Sequence, residues 1–275
     1  MKRKIYNDIL KWKNESNGST ALLIEGARRV GKSYIVEEFA KENYKSYILI
    51  DFSKAPEEVK SLFDNYLDNL NYLFTYLSQY YGVKLYERET LFIFDEIQFC
   101  PRARGGIKHL VADGRYDYIE TGSLISIKKN VKDILIPSEE ENLKMYPFDF
   151  EEFLWAKGYS KETRNDFLEH MRSLKPFNEL EMSVYLSLFM EFCILGGMPA
   201  VIREYIEKGT FEGSLDTQRQ LLADYREDIR KYAEGMDQAR ILNVFQHIPV
   251  QLAKDNKKFQ ISKVASGARF KDYRG

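Results

Sequence analysis

The chain has 275 residues, of which 44% are hydrophobic and 30% charged, with 41 basic and 42 acidic side chains and a formal net charge of -1. A balance this even excludes a global attraction to nucleic acid or to an anionic membrane, although it leaves room for a local basic patch. Cys100 and Cys193 lack metal-ligand spacing, which argues against a disulfide framework or zinc site and favours a reducing cytoplasm. No apolar run approaches the roughly 20 residues that span a bilayer, so we predict a cytoplasmic protein without membrane contact.

The first 150 or so residues alternate between short apolar runs and segments with helical spacing. The predicted strands lie at residues 20–25, 47–52, 91–94, 116–120 and, more weakly, 143–148. The predicted helices lie at residues 5–13, 33–40, 62–81 and 103–112. This alternation predicts an α/β fold in which a parallel sheet carries helices on both faces.

The pattern changes after about Glu151, where helical spacing recurs without a convincing strand. The helix-like segments lie at residues 153–157, 167–174, 184–195, 198–207 and 215–232. We therefore predict a boundary near Gly158. An α/β core would occupy residues 1–158, a helical domain residues 159–250, and the start of a further domain residues 251–275.

The segment that joins the first predicted strand to the next helix has the P-loop pattern G-x-x-x-x-G-K-[ST]. Its residues are Gly26, Ala27, Arg28, Arg29, Val30, Gly31, Lys32 and Ser33. The glycines permit a turn in which successive N–H groups point inward and form a nest for phosphate, and the following helix presents its N-terminus to the same anion. Lys32 is predicted to neutralise the β- and γ-phosphate oxygens and Ser33 to hold Mg²⁺. We therefore predict that all eight residues bind ATP; the chain has no N-K-x-D guanine motif, which favours ATP over GTP.

Two carboxylates follow the third predicted strand. Asp95 and Glu96 come directly after four apolar residues. The carboxyl ends of parallel strands meet at one edge of the sheet, where ligands bind, so we expect this pair near the P-loop. Asp95 is predicted to help hold Mg²⁺, and Glu96 to polarise the attacking water as a catalytic base. A solvated strand end is the alternative, but an upstream P-loop favours the catalytic interpretation.

Three further residues are candidates for contact with the γ-phosphate. Thr121 and Ser123 end the fourth predicted strand, where a hydroxyl can contact the phosphate or the attacking water; a helix N-cap is the alternative role. Arg115, just before that strand, is the preferred choice for an arginine that stabilises transition-state charge. The other arginines considered are Arg28, Arg29, Arg102, Arg104, Arg203 and Arg226.

These motifs together resemble a known family. The P-loop, the Asp95-Glu96-Ile97-Gln98 segment, the Thr121-Gly122-Ser123 turn and a Gly-Gly-x-Pro element ending at Pro199 occur in this order in AAA-type ATP-binding proteins of archaea and bacteria. Those proteins carry a C-terminal domain of uncharacterised function and look related to archaeal and signal-transducing ATPases. The resemblance implies an α/β P-loop NTPase core with a parallel sheet, then an α-helical lid domain and the start of a winged helix. It also implies that Gly197 and Pro199 pack near the adenine base.

The end of the chain departs from that family. Family members usually continue further, whereas here residues 259–265 resemble the start of a helix-turn-helix and the sequence stops at Gly275, so we expect a truncated member. From Lys254 onward the tail carries seven basic and two acidic residues. In a complete winged helix this tail could contact DNA phosphates, and protein contacts are an equally open alternative. Oligomerisation is open as well.

The sequence thus predicts an ATPase of the AAA+ type. Lys32 and backbone N–H groups bind phosphate, Ser33 and Asp95 hold Mg²⁺, Glu96 activates water, and hydrolysis drives a conformational change. The main alternative is a slow switch in which ATP occupancy, rather than turnover, controls the binding of DNA or a partner protein. A P-loop kinase is a third and weaker alternative, because no acceptor site or cluster of lid arginines is visible.

Overall fold

The computed structural model describes residues 1–123, 139–159, 161–232, 235–256, 258–264 and 269. The chain forms two compact units, Met1–Phe211 and Glu212–Gly275. No helix in these described ranges is long and apolar enough to cross a lipid bilayer.

The first unit is built on a parallel sheet of five strands in the order β2-β3-β4-β1-β5. The strands are β1 (Ala21–Gly26), β2 (Ser46–Asp51), β3 (Thr90–Asp95), β4 (Asp117–Gly122) and β5 (Glu140–Met145). The parallel sheet predicted from the alternating pattern is therefore confirmed. The fifth strand begins and ends three residues earlier than predicted, because this edge strand is largely polar and gives no clear apolar run.

Helices cover both faces of the sheet, as predicted, and a helical region follows. They are α1 (Ile5–Ser16), α2 (Lys32–Asn43), α3 (Glu57–Asn65), α4 (Leu70–Tyr81), α5 (Pro101–Asp113), α6 (Phe150–Ala156), α7 (Lys161–Ser173), α8 (Glu179–Leu195), α9 (Pro199–Lys208), α10 (Phe211–Tyr232) and α11 (Gly235–Leu252). Short 3₁₀ turns occur at Ile97–Phe99 and Ile261–Lys263.

Two apolar layers hold the helices on the sheet. Alternate strand residues point to opposite faces, so Phe92 and Phe94 pack with α3, α4 and α5, while Leu91 and Ile93 pack with α1 and α2. The first layer is largely aromatic: the ring of Phe94 lies 5.5 Å from that of Phe63, edge to face. Close packing of this kind fixes the strands rigidly and so fixes the loops at their carboxyl ends.

The single helix predicted over residues 62–81 is wrong, because the structure has two helices there. The chain leaves helical geometry at Tyr66, and the side chain of Asn69 caps α4 by accepting from the N–H of Tyr72 at 3.2 Å. Tyr66 and Tyr72 pack across the break with ring centroids 4.2 Å apart. The apolar spacing continues through the break, which explains why the pattern alone predicted one helix.

The first unit extends beyond the predicted boundary near Gly158. Its helix α6 starts at a capping box formed by Asp149 and Glu152. Aromatic side chains then join α6 to α8: the ring centroids of Phe150 and Phe189 lie 5.4 Å apart, as do those of Phe153 and Phe192. These contacts place α8 in the same compact unit as the sheet, so the unit runs to Phe211.

The second unit is helical in its described part. The rings of Tyr225 on α10 and Phe245 on α11 lie 6.4 Å apart. The side-chain Nε2 of Gln251 donates to the carbonyl oxygen of Gln260 at 3.1 Å. The predicted winged helix is not confirmed, because the described tail shows a 3₁₀ turn, and residues 265–268 and 270–275 lie outside the described residues.

Candidate nucleotide-binding site

The loop between β1 and α2 requires both glycines of its motif. A Cβ at Gly26 would lie 2.3 Å from the carbonyl oxygen of Met145 on the neighbouring strand, which leaves no room for a side chain. Gly31 has φ of 94°, a conformation open to glycine and costly for other residues. The helix begins at the next residue, so its free N–H groups and the positive end of its dipole face the loop. The segment is therefore shaped as an anion-binding nest.

Lys32 is held inside this loop. Its side chain is nearly buried, and its ammonium group donates to the carbonyl oxygens of Gly26 at 3.1 Å and Ala27 at 3.0 Å. Burial lowers the pKa of Lys32, while the charges of Glu96 and Asp95 act in the opposite direction. These neighbouring carboxylates place the cation between the loop and the end of β3, where it can face a bound phosphate.

Hydroxyl groups from two other segments converge on Asp95. Ser33, at the start of α2, donates to both carboxylate oxygens at 2.8 and 2.9 Å, and Thr121, at the end of β4, donates to Oδ1. Thr121 also lies 3.4 Å from the backbone nitrogen of Glu96, which donates to its hydroxyl. The arrangement follows from the strand order, since β4 lies between β1 and β3. Ser33, Asp95 and Thr121 thus meet at the edge where the sequence predicted a site.

Glu96 is presented by an unusual backbone conformation. It follows β3 with φ of 52° and ψ of 48°, in the left-handed region that non-glycine residues rarely adopt. The side-chain amide of Gln98 donates to Glu96 Oε2. Sequence reasoning did not select Gln98 as a site residue, although it lies two positions after Glu96 in the quoted motif. The strained backbone and this amide fix the direction of the candidate catalytic carboxylate.

The remaining hydroxyl candidate, Ser123, is buried directly after β4, at the same edge of the sheet. Arg115 lies elsewhere. It precedes β4 and so lies at the amino-terminal edge, where its guanidinium binds both carboxylate oxygens of Asp113, at 2.7 and 2.9 Å, and donates to Asn71 at 2.8 Å. The expectation that Arg115 completes the site is corrected by this position, because all strands of a parallel sheet start at the edge opposite the P-loop.

The other arginines considered are distributed as follows: Arg29 and Arg203 line a cavity beside the loop, Arg102 pairs with Asp64, and Arg104 is buried between Glu120 and Glu140. Arg28 belongs to the loop, and its charge helps to lower the pKa of Lys32. Arg226 lies on α10 in the second unit.

Pro199 lies beside the P-loop, although about 170 residues separate them in sequence. A Cβ at Gly31 would lie 3.8 Å from Pro199 Cγ. The preceding turn is fixed to the segment after β5, since the N–H of Phe148 donates to Gly197 at 2.7 Å and a Cβ at Gly197 would lie 2.3 Å from the Phe148 oxygen. The cavity between the loop and α9 has a volume of about 470 Å³, and Tyr34 and Arg3 also line it. Sequence reasoning did not select Arg3 or Tyr34, for neither belongs to a recognised motif.

This loop, helix and acidic strand end define a P-loop NTPase site. Residues 18–154 match the family model described as "AAA domain", and residues 186–275 match one described as a domain of unknown function, DUF8612. The chain therefore carries an AAA-type P-loop ATPase domain, as its motifs predicted.

The match to one solved structure supports the same fold. The chain superposes on a Walker-type ATPase of Pyrococcus abyssi with a TM-score of 0.54 and 17% identity, covering 90% of this chain and 79% of that one. A weaker match is Drosophila ORC bound to DNA, with a TM-score of 0.45 and 16% identity over 95% of this chain and 79% of that one. No curated protein sequence matches the chain.

Proposed function

We propose that this chain binds ATP together with Mg²⁺ and hydrolyses it. The observation that carries the proposal is the hydrogen bond from Ser33 Oγ to the carboxylate of Asp95, shared between its two oxygens. A hydroxyl at the start of the P-loop helix and a carboxylate at the end of a nearby strand are the protein oxygens that hold Mg²⁺ in P-loop enzymes.

The donor set fits magnesium that enters with the nucleotide. Mg²⁺ is usually held by one or two protein oxygens plus phosphate oxygens and water, not by an all-protein cage. Ser33 and Asp95 supply two such protein oxygens. When bound, the ion supplies neutralisation of charge on the β- and γ-phosphate oxygens.

The other residues divide the remaining tasks. Lys32 and the N–H groups of the loop bind phosphate, and their fixed positions stabilise negative charge without reorganisation during the reaction. Glu96 accepts a proton from the attacking water or orients it. Thr121 fixes Asp95 and the backbone of Glu96 through its hydroxyl. Ser123, buried directly after β4, is the second hydroxyl that we propose to contact the water.

The nucleoside would occupy the cavity beside the loop. Its volume of about 470 Å³ lies within the range of small-molecule sites, and Pro199 and Tyr34 offer apolar surfaces to a base. Arg203 on α9 lines the same cavity. A nucleotide that contacts both the P-loop and α9 would bias their separation, and loss of the γ-phosphate would relax it. This is how we expect hydrolysis to drive a conformational change.

The test is phosphate release by the purified chain with Mg²⁺ and ATP. Lys32→Ala should abolish release, and Lys11→Ala, at a mainly exposed lysine on α1, should not change it. Chelation of Mg²⁺ should also stop release, and added magnesium should restore it. Equal release by the parent and the Lys32→Ala variant would overturn the proposal, since it would point to a contaminating enzyme.

A further inference from the structure

Arg3 contacts the P-loop although it lies outside the matched AAA domain, which begins at residue 18. Its side chain is almost fully buried, with 7% of the residue exposed. A buried arginine this close to the start of the chain is unusual, because arginine is almost never buried without partners. The groups that Arg3 contacts therefore indicate its role.

The guanidinium group of Arg3 joins three separate segments. Its Nη1 donates to the carbonyl oxygen of Val30 at 2.9 Å, its Nη2 to that of Tyr146 at 2.6 Å, and its Nε to Glu152 at 3.2 Å. The group also lies over the ring of Phe148, 4.2 Å from its centroid. The planar guanidinium group carries donors on three separate nitrogens, so one arginine side chain serves these three acceptors at once.

The hydrogen bond to Val30 also affects Gly31, whose backbone N–H belongs to the anion-binding nest. Val30 and Gly31 share one peptide group, whose C=O and N–H lie in a plane and point in opposite directions. Arg3 holds the oxygen of this peptide through its hydrogen bond to Val30. The N–H of Gly31 is therefore directed away from the guanidinium group of Arg3. Glycine has access to more backbone conformations than other residues, so Gly31 needs an external contact to keep its N–H in that direction.

Arg3 is itself fixed by its surroundings. Glu152 Oε1 accepts from Arg3 and from the backbone N–H of Lys4 at 2.6 Å, while the Glu152 backbone is held by the capping box with Asp149 at 2.9 Å. Tyr146 directly follows Met145, and the carbonyl oxygen of Met145 is the atom that leaves no room for a Cβ at Gly26. Arg3 thus links the Val30 end of the loop to the segment after β5 and to α6.

We propose that Arg3 is a positioning residue that sets the direction of the Gly31 N–H and so prepares the P-loop for phosphate. The expected effect of Arg3 on ATP binding rests on the proposed function. The contact between Arg3 and the loop exists without nucleotide. A purely structural Arg3 would instead fasten the first residues to the sheet and leave the loop unchanged.

Two variants separate these roles. Arg3→Met keeps an unbranched apolar stem against Phe148 but removes every donor, and Arg3→Lys restores charge without the fork. Lys2→Met is the matched control, because Lys2 is exposed and adjacent. Far-UV circular dichroism and thermal unfolding establish that each variant is folded at the temperature of measurement.

The first measurement is hydrogen–deuterium exchange of nucleotide-free protein. In Arg3→Met, peptides that cover residues 26–36 should exchange at least severalfold faster than in the parent, while those of the buried strand β3 should not change. Arg3→Lys should show the same acceleration, because one ammonium group cannot reach all three acceptors. Lys2→Met should match the parent.

The second measurement is the dissociation constant for ATP with Mg²⁺. Loss of a charge-assisted hydrogen bond that orients the loop should raise the Kd roughly tenfold in Arg3→Met. Unchanged exchange in residues 26–36 overturns the proposal, as does an unchanged Kd if the parent binds ATP. If the parent does not bind ATP, the proposed function fails, and the exchange data alone still decide whether Arg3 positions the loop.

Discussion

The hydroxyl of Ser33 donates to the carboxylate of Asp95, with its oxygen 2.8 and 2.9 Å from the two carboxylate oxygens, although 62 positions separate the residues in the chain. Ser33 is the last residue of the P-loop pattern and lies in the first turn of α2, and Asp95 ends β3. The contact exists because β1, β4 and β3 are neighbours in one parallel sheet, so their carboxyl ends lie side by side. Thr121 at the end of β4 occupies the place between them and donates to the same carboxylate. This three-residue group is the centre of the candidate site.

Glu96→Gln should keep ATP binding and lose turnover. The amide preserves the size of the side chain but cannot accept a proton, and general-base catalysis contributes about 10²–10⁴-fold to rate. We expect kcat for phosphate release to fall by roughly a hundredfold or more with little change in Kd. Glu87→Gln, at an exposed glutamate, is the control. A Glu96→Gln variant with normal kcat would exclude this residue as the base.

The same variant separates turnover from switching. If the protein works by hydrolysis, a chain that binds ATP without turnover should lose its biological effect. If ATP occupancy alone controls a DNA or protein partner, the effect should persist. Binding of labelled DNA to the purified variant, with and without ATP, measures the DNA arm of this alternative directly.

Arg29→Gly should give a more stable protein than Arg29→Ala. Arg29 has φ of 66°, a left-handed conformation that is costly for every residue with a Cβ. Both substitutions remove the same side chain and its interactions, so their difference isolates the backbone. We expect about 1 kcal/mol in the free energy of unfolding, measured with urea. Equal stability would mean that the loop relaxes to another conformation when the arginine is lost.

Glu120→Gln should flatten the pH dependence of stability. Burial raises the pKa of Glu120 well above its ordinary value, the charge of Glu140 raises it further, and Arg104 opposes them. Glu120 therefore resists ionisation in the fold, whereas it ionises freely in the unfolded chain. Stability is lost as pH rises above the ordinary value of 4.5, because the unfolded state then gains more from losing the proton.

Glutamine retains an oxygen for the hydrogen bond from Arg104, which is 3.1 Å long in the parent. Thermal unfolding between pH 5 and 8 should therefore show a smaller decline for Glu120→Gln than for the parent. Glu15→Gln, at an exposed position on α1, should behave like the parent. The same slope in all three proteins would contradict a raised pKa at Glu120.

Arg115→Met should reduce stability without affecting phosphate release. Its guanidinium binds Asp113 with two hydrogen bonds and lies 4.8 Å from the centroid of the Phe74 ring, at the edge of the sheet opposite the P-loop. The pair is partly exposed, so we expect a loss of about 1 kcal/mol in the free energy of unfolding. A fall in kcat with unchanged stability would instead place Arg115 in the catalytic site, as its proximity to β4 in sequence suggested.

Features that depend on local spacing could be predicted from the residues alone. Apolar runs alternating with helical segments predicted the parallel sheet, and the P-loop pattern predicted a loop that only glycines at positions 26 and 31 can form. The acidic pair after β3 was placed at the correct edge because the carboxyl ends of parallel strands always meet there. These inferences needed no knowledge of which strands are neighbours.

Contacts between segments that are distant in sequence could not be predicted in this way, because they depend on how the chain packs in three dimensions. Arg3 looks like any basic residue at the start of an amphipathic helix, and only the packing of α1 on the sheet brings it to Val30 and Tyr146. The first unit likewise extends past Gly158 because aromatic side chains of α6 and α8 pack together, a contact that their separation in sequence does not predict. The spacing of residues along the chain predicts helices and strands, whereas the partner of a buried charge depends on the three-dimensional fold.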